Sequence, residues 1–222
     1  MNQLLASLRR IVSYAMPLTR RVKTAYSGTV EITMDHGHKT LDTAHANYSY
    51  GSLQRVLRYG LQFTQPETAK QVLVLGLGGG SVVEVLRKTP AFKGDITAVE
   101  LDPVIVQIAD EEFNVRSDET LHIVCADAFA WVPTAPEQSF DLIIIDLFLD
   151  LTLPTGLSSG SFWEHIARVV QPNGRVLFNS LTANSVLIDQ QPADSYWAQH
   201  GFEVKEVEVE LLNLLYILRR VA

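Results

Sequence analysis

Apolar and polar positions alternate along this chain in two regimes, and the change between them falls at Gln65-Pro66-Glu67. Before the break, GTVEITM and KTLDTAH alternate residue by residue, which predicts two strands. Asp35-His36-Gly37-His38 between them is turn sequence, so the pair reads as a β-hairpin within residues 24–45. SYGSLQRVLRYGLQF then places Leu53, Val56, Leu57, Tyr59 and Leu61 on a helical period. Upstream, Leu4, Leu5, Leu8, Ile11 and Val12 predict an N-terminal helix. After the break, apolar runs at 72–76, 95–100, 121–125, 140–146 and 174–180 alternate with helical stretches at 81–89, 103–113, 127–132 and 160–170. That order is the βαβ signature of an open parallel sheet. Pro172-Asn173-Gly174 predicts a helix stop and a turn before the fifth of these runs. A last helix is predicted over about 184–200, stopping at Gly201. FEVKEVEVE and NLLYILRRV follow it and predict an antiparallel pair.

Seven strands, mostly parallel and closed by an antiparallel C-terminal pair, make an α/β sheet whose layout resembles the class I methyltransferase fold. We expect residues 1–66 to hold a helix, a small β-hairpin unit and a linking helix, and residues 67–222 to form the main nucleoside-binding domain.

Composition narrows the partners. The chain has 222 residues, 47% hydrophobic and 19% charged, which suits one sizeable core and excludes a disordered chain. The formal net charge is −7, and Arg9, Arg10, Arg20, Arg21 and Lys23 all precede Glu31, the first acid. The body is therefore more acidic than the total. Such a surface repels phosphate backbones, so nucleic acid is a poor partner, and compact cations such as amines suit it better. The single cysteine, Cys125 in LHIVC, reads as a small buried hydrophobe. One cysteine allows no internal disulfide, and no apolar run approaches a membrane span, so a cytoplasmic location is expected. The N-terminal helix is expected to dock on the body or on a partner subunit, as in a homodimer, with an anionic surface as the second choice.

The densest chemistry lies in QVLVLGLGGGS, Gln71 to Ser81. A buried strand runs into glycines at Gly76, Gly78, Gly79 and Gly80, and an amphipathic helix starts at once. That geometry lets a nucleoside cofactor lie against bare backbone. Glu100 ends the next strand, about twenty residues on, where a carboxylate can accept the hydroxyls of a ribose. Asp102, Asp127 and Asp146 also follow strand ends. Asp102 before Pro103 reads as a helix N-cap, and Asp127 can cap AFAWV in the same way. His36 and His38 are read as solvated turn residues, so no metal is expected. Phe148, Trp163 and Tyr50 are candidates to wall the site, although Trp163 in SFWEHIARVV is better explained as core and His165 as a surface residue.

VLVLGLGGGS, VELDP, CADAFAWV and FDLIIIDLF together resemble the polyamine aminopropyltransferases, the spermidine synthase family, over residues 26–220. The resemblance implies that Gly76, Gly78, Gly79 and Gly80 face the methionine-derived part of S-adenosylmethionine or its decarboxylated form. It implies that Glu100 with Leu101 holds the ribose, and that Asp127 and Ala128 hold the adenine. Asp146 takes the place of the catalytic acid and Tyr50 that of the substrate-side tyrosine. The departures are Gly79 where the family carries an acid in GGGDG, Leu149 where a second acid follows the catalytic one, and Gly51-Ser52 after the tyrosine. Loss of the acid at 79 removes a reason to prefer the decarboxylated form, so intact S-adenosylmethionine is expected to bind at least as well. The leading expectation is a spermidine-synthase-like transferase that alkylates a small amine. The rivals are a small-molecule methyltransferase and a catalytically silent nucleoside-binding module.

Overall fold

The computed structural model describes residues 3–43, 47–183, 185–210 and 212–221. The N-terminal unit opens with helix α1 (Gln3–Val12), on which Leu8 and Ile11 are exposed. Strands β1 (Leu18–Lys23), β2 (Thr29–Asp35), β3 (His38–Asp42) and β4 (Asn47–Ser49) follow and pair in that order. The expected hairpin is the β2–β3 pair, turned by His36 and Gly37, both at positive φ. The unit is thus a four-stranded sheet and not a hairpin alone. β1 escapes notice in the sequence because LTRRVK carries few apolar positions. Its Arg20 and Arg21 are exposed on an edge strand, where charge discourages further pairing. His45, within the run assigned to the hairpin, lies outside the described residues.

Helix α2 (Gly51–Leu61) leads into the main sheet. Its buried Val56, Leu57 and Leu61 pack in the same core as Val72, Val74, Leu177 and Leu215. Gly60 permits the approach, because a Cβ there would lie 2.7 Å from Leu215 and 2.9 Å from Leu177. The main sheet then forms from β5 (Gln71–Leu75), α3 (Ser81–Lys88), β6 (Asp95–Glu100), α4 (Pro103–Phe113), β7 (Leu121–Cys125), α5 (Ala128–Trp131), β8 (Phe140–Ile145), α6 (Gly160–Val169) and β9 (Val170–Leu181). The short pair β10 (Leu187–Ile188) and β11 (Gln191–Pro192) precedes α7 (Ala193–Gln199), and β12 (Phe202–Val209) and β13 (Asn213–Arg220) close the chain. Strand order is β12-β13-β9-β8-β5-β6-β7. β5 through β9 run parallel, and β13 pairs antiparallel with both β9 and β12. This is the expected seven-stranded sheet with its antiparallel terminal pair.

Alternate residues of each central strand bury on opposite faces. Leu73, Leu75, Ile143 and Ile145 meet α6 and α7 through Phe162, Trp163 and Trp197. Val72, Val74, Leu142 and Ile144 meet α3 through Val82 and Leu86. Near-continuous apolar runs in these strands follow from burial on both faces. The N-terminal sheet covers α4, with Val30, Ile32 and Leu41 packed on Ile105 and Ile108.

Three local expectations are corrected. The last helix starts at Ala193, because Asp189 and Gln190 turn at positive φ and Pro192 stands just before the helix. Asn184 lies outside the described residues. Pro172-Asn173-Gly174 falls within β9, where pairing jumps from Phe140↔Val170 to Leu142↔Arg175, so the turn is absorbed as a bulge. Cys125 is exposed, because β7 is the edge strand of the sheet.

Asp102 ties the two sheets together. One carboxylate oxygen caps α4 by accepting the Val104 N–H at 2.9 Å. The other accepts the Tyr26 N–H at 2.7 Å and the Ser27 N–H at 3.5 Å. Burial alone would raise its pKa, and these backbone donors instead hold it below the usual carboxylate range. Asp102→Ala should therefore cost about 2 kcal/mol or more, since a cap and a buried bond to the N-terminal unit go together. Urea denaturation of the two proteins measures the loss.

Candidate functional site

Strand order reverses beside β5: β6 and β7 lie on one side, β8 and β9 on the other. In open α/β sheets such a point leaves a crevice beyond the carboxyl ends of the strands. A cavity of about 360 Å³ lies there, within the size range of small-ligand sites. Gly76 and Gly78 of the turn after β5, Glu100 at the end of β6 with Leu101 after it, Asp127 and Ala128 after β7, and Asp146 after β8 all line it. The structure thus brings most of the sequence candidates together in one wall.

The glycine turn is shaped by close approach. Gly76 sits at φ 91°, and a Cβ there would lie 2.2 Å from the Asp146 carbonyl oxygen. Its N–H donates to the Val99 carbonyl at 2.9 Å, while the Asp146 N–H donates to the Leu75 carbonyl at 2.9 Å. The first turn after β5 is therefore pinned between β6 and β8. Gly76 and Gly78 line the cavity. Gly79 and Gly80 do not: a Cβ on Gly79 would meet Ser49 at 3.1 Å and Phe113 at 3.2 Å, and one on Gly80 would meet Val115 at 2.6 Å.

Glu100 is 5% exposed. Its Oε2 accepts the Leu77 and Gly78 N–H groups at 3.1 Å each, and its Oε1 accepts the Asp102 N–H at 3.0 Å. Burial pushes its pKa up, and the three backbone donors oppose that rise. Asp127 caps α5 by accepting the Phe129 N–H at 2.9 Å, so its capping and cavity-lining positions coincide.

Asp146 accepts a 2.9 Å hydrogen bond from Asn179 Nδ2, and Asn179 Oδ1 in turn accepts from Asn213 Nδ2 at 3.0 Å. All three residues line the cavity. Burial pushes the Asp146 carboxyl up to about 6; the Asn179 bond works against that rise and the Glu100 charge adds to it. Asn179 and Asn213 were not candidates from the sequence. The available signal was a buried amide interrupting the apolar run RVLFNSL.

Tyr50 lies apart from this cluster and does not line the cavity. Its ring stacks on Phe113 with centroids 4.6 Å apart, and burial followed by the neighbouring Glu84 pushes its phenol well up. Trp163 is 1% exposed, packed in the core with its Nε1 donating to the Leu157 carbonyl at 2.8 Å. Phe148 does line the cavity, and His165 does not. Five acids line it, Glu100, Asp102, Asp127, Asp146 and Asp150, and among the described residues no lysine, arginine or histidine does. His36 is exposed and bonded to Asp35 at 2.8 Å, and among the described residues no three metal-ligating side chains cluster.

Residues 73–178 match the family described as a methyltransferase domain. The chain carries a class I methyltransferase fold. Over 90% of its length it superposes on 73% of a spermidine synthase in complex with the transition state analogue AdoDATO, with a TM-score of 0.67 and 16% identity. It superposes likewise on human methyltransferase-like protein 13 in complex with SAH, TM-score 0.59 and 23% identical, covering 78% of this chain and 83% of that one. In sequence it is 28% identical over 170 residues to an eEF1A lysine and N-terminal methyltransferase homolog of Drosophila pseudoobscura pseudoobscura, 72% of this chain and 25% of that protein. It is 31% identical over 143 residues to a polyamine aminopropyltransferase of Vibrio vulnificus, 63% of this chain and 46% of that protein. The chain thus spans between a quarter and a half of these relatives' own lengths. The matched stretch begins in β5 and ends in β9, so it contains the glycine turn, Glu100, Asp127 and Asp146.

The raised pKa of Asp146 gives the stability of this chain a pH signature. An acid titrating near 3.8 when unfolded and about 6 when folded is ionised first in the unfolded chain. Its contribution to stability therefore falls as pH rises from about 4 to about 6 and is constant above that. Asp146→Asn should remove this component. Denaturant melts of both proteins between pH 4 and 7 should show the variant gaining relative stability toward pH 6; a constant difference would mean that Asp146 titrates normally.

Proposed function

We propose that this chain is a spermidine-synthase-like transferase that alkylates a small amine, with a sulfonium nucleoside as donor. One observation carries the reading: a half-buried, amide-held carboxylate, Asp146, stands at the switch point of a cavity lined by acids and by no basic side chain among the described residues. Such a wall favours cations, and both the donor and a protonated amine are cations.

The residues present fit the donor. Gly76 and Gly78 offer a face without side chains, Glu100 and Leu101 stand where a ribose would lie, and Asp127 with Ala128 where an adenine would lie. When bound, S-adenosylmethionine or its decarboxylated form supplies a carbon already activated toward a nucleophile. The chain must then orient the amine, exclude water and remove a proton from nitrogen. Asp146 is assigned both the anchoring of the ammonium and the acceptance of its proton. Asn179 holds the carboxylate in one orientation, and a pKa near 6 leaves it ionised at neutral pH yet basic enough to take a proton. Tyr50, stacked on Phe113, is given no part in this step.

A second reading, methyl transfer to an amine, is favoured by the methyltransferase domain match and by the relative whose name specifies lysine and N-terminal methylation. Gly79 supports it, since it stands where the resembling family carries an acid that would select the decarboxylated donor, and a side chain there would crowd Ser49 and Phe113. Both readings make an amine nitrogen the acceptor and Asp146 its anchor.

Asp146→Asn should keep the fold and the nucleoside affinity and lose about 10²-fold or more in turnover. The assay offers putrescine, agmatine and other amines with either donor and follows release of the spent nucleoside. Wild-type turnover should also fall as pH drops through about 6, where Asp146 gains its proton. Equal turnover by the variant would remove the role from Asp146.

A further inference from the structure

A run of apolar side chains forms one stretch of the cavity wall. Leu147, Phe148, Leu149 and Leu151 run on directly from Asp146 and line it. Leu181 and Leu212 line it from the ends of β9 and the turn before β13. Leu149, Leu151 and Leu212 are 43%, 46% and 66% exposed. Apolar side chains held open around a concave site, with the half-buried Asp146 at the strand end beside them, describe a pocket for a ligand with a greasy body and a charged end.

The loop that presents these leucines is braced. Leu149 and Thr152 exchange backbone hydrogen bonds at 2.9 and 3.1 Å, and Asp150 between them accepts the Thr43 hydroxyl at 2.5 Å. Asp150 also sits at φ 58°, in a left-handed backbone position that turns the chain there. Its carboxylate thus serves to fasten the loop to the segment after β3. Asp146, held by Asn179 at the strand end, remains the carboxylate suited to an ammonium.

We propose that the acceptor is a monoamine with an apolar alkyl or aryl body, and not a diamine. The inference rests on the amine-alkylation reading and specifies its substrate class. A ligand of this kind places its nitrogen at Asp146 and its hydrocarbon against the leucines, trading exposed apolar surface on both partners for contact. A diamine of the same length would press its second ammonium against the same leucines and lose water without recovering an equal partner.

Hexylamine and 1,6-diaminohexane share one chain length and differ only in the second amine, so they isolate this feature. Calorimetric titration of each into the protein, alone and with methylthioadenosine present, should show hexylamine binding at least tenfold more tightly. Leu149→Asp should narrow or reverse that preference, and Asp146→Asn should weaken both amines. A diamine that binds wild type as tightly as hexylamine or better, or failure of both to bind, overturns the proposal. Its fate separates from that of the transferase reading. Efficient Asp146-dependent alkylation of diamines would sink this inference alone. Asp146-dependent hexylamine binding with no alkylation of any amine would sink the transferase reading alone.

Discussion

The Glu100 carboxylate, accepting the N–H groups of Leu77, Gly78 and Asp102, is the interaction on which the site depends. A glycine turn has little conformational preference of its own and gains definition only from what holds it. Glu100 supplies that hold from the neighbouring strand. A buried carboxylate is costly without donors, and the turn's own backbone provides them. Turn and acid therefore stabilise each other, and the mouth of β5 stays open beside β8. The same charge reaches Asp146 and helps to raise its pKa, so the support of the loop and the chemistry of the next strand end are linked electrostatically.

Strand order divides the labour. The glycine turn, Glu100 and Asp127 end β5, β6 and β7 on one side of the switch point. Asn179, Leu181 and Asn213 belong to β9 and β13 on the other side. Asp146, at the end of β8, stands between the two groups.

Much of this was legible in the sequence, for a physical reason. A buried parallel strand must be apolar along its whole length, and a glycine turn must lack side chains, so VLVLGLGGG announces both at once. Glu100, Asp127 and Asp146 were legible because each stands at or just beyond the end of a strand run. Features set by contacts distant in sequence were not. The Asp146–Asn179–Asn213 chain depends on β9 lying between β8 and β13 in a register that pairs Leu215 with Asn179. Tyr50 is placed by Phe113, more than sixty residues away, and not by its own neighbours. Cys125 looked buried because LHIVC is apolar, yet strand order puts it on an edge. The late start of α7 reflects a pair of left-handed residues and a proline that outweigh a helical pattern.

We propose that this acid-lined cavity, which no lysine, arginine or histidine lines among the described residues, is a sulfonium nucleoside site built on the glycine turn. Calorimetric titration with S-adenosylmethionine, its decarboxylated form and methylthioadenosine, on wild type and on Gly78→Val, tests it most directly. Gly78 lines the cavity at φ 53°, so an added branched side chain both fills the space and opposes the backbone. Wild type should show one saturable site for the adenosyl ligands, lost in a folded Gly78→Val protein. Absence of saturable binding in wild type, or undiminished binding in the variant, would contradict it.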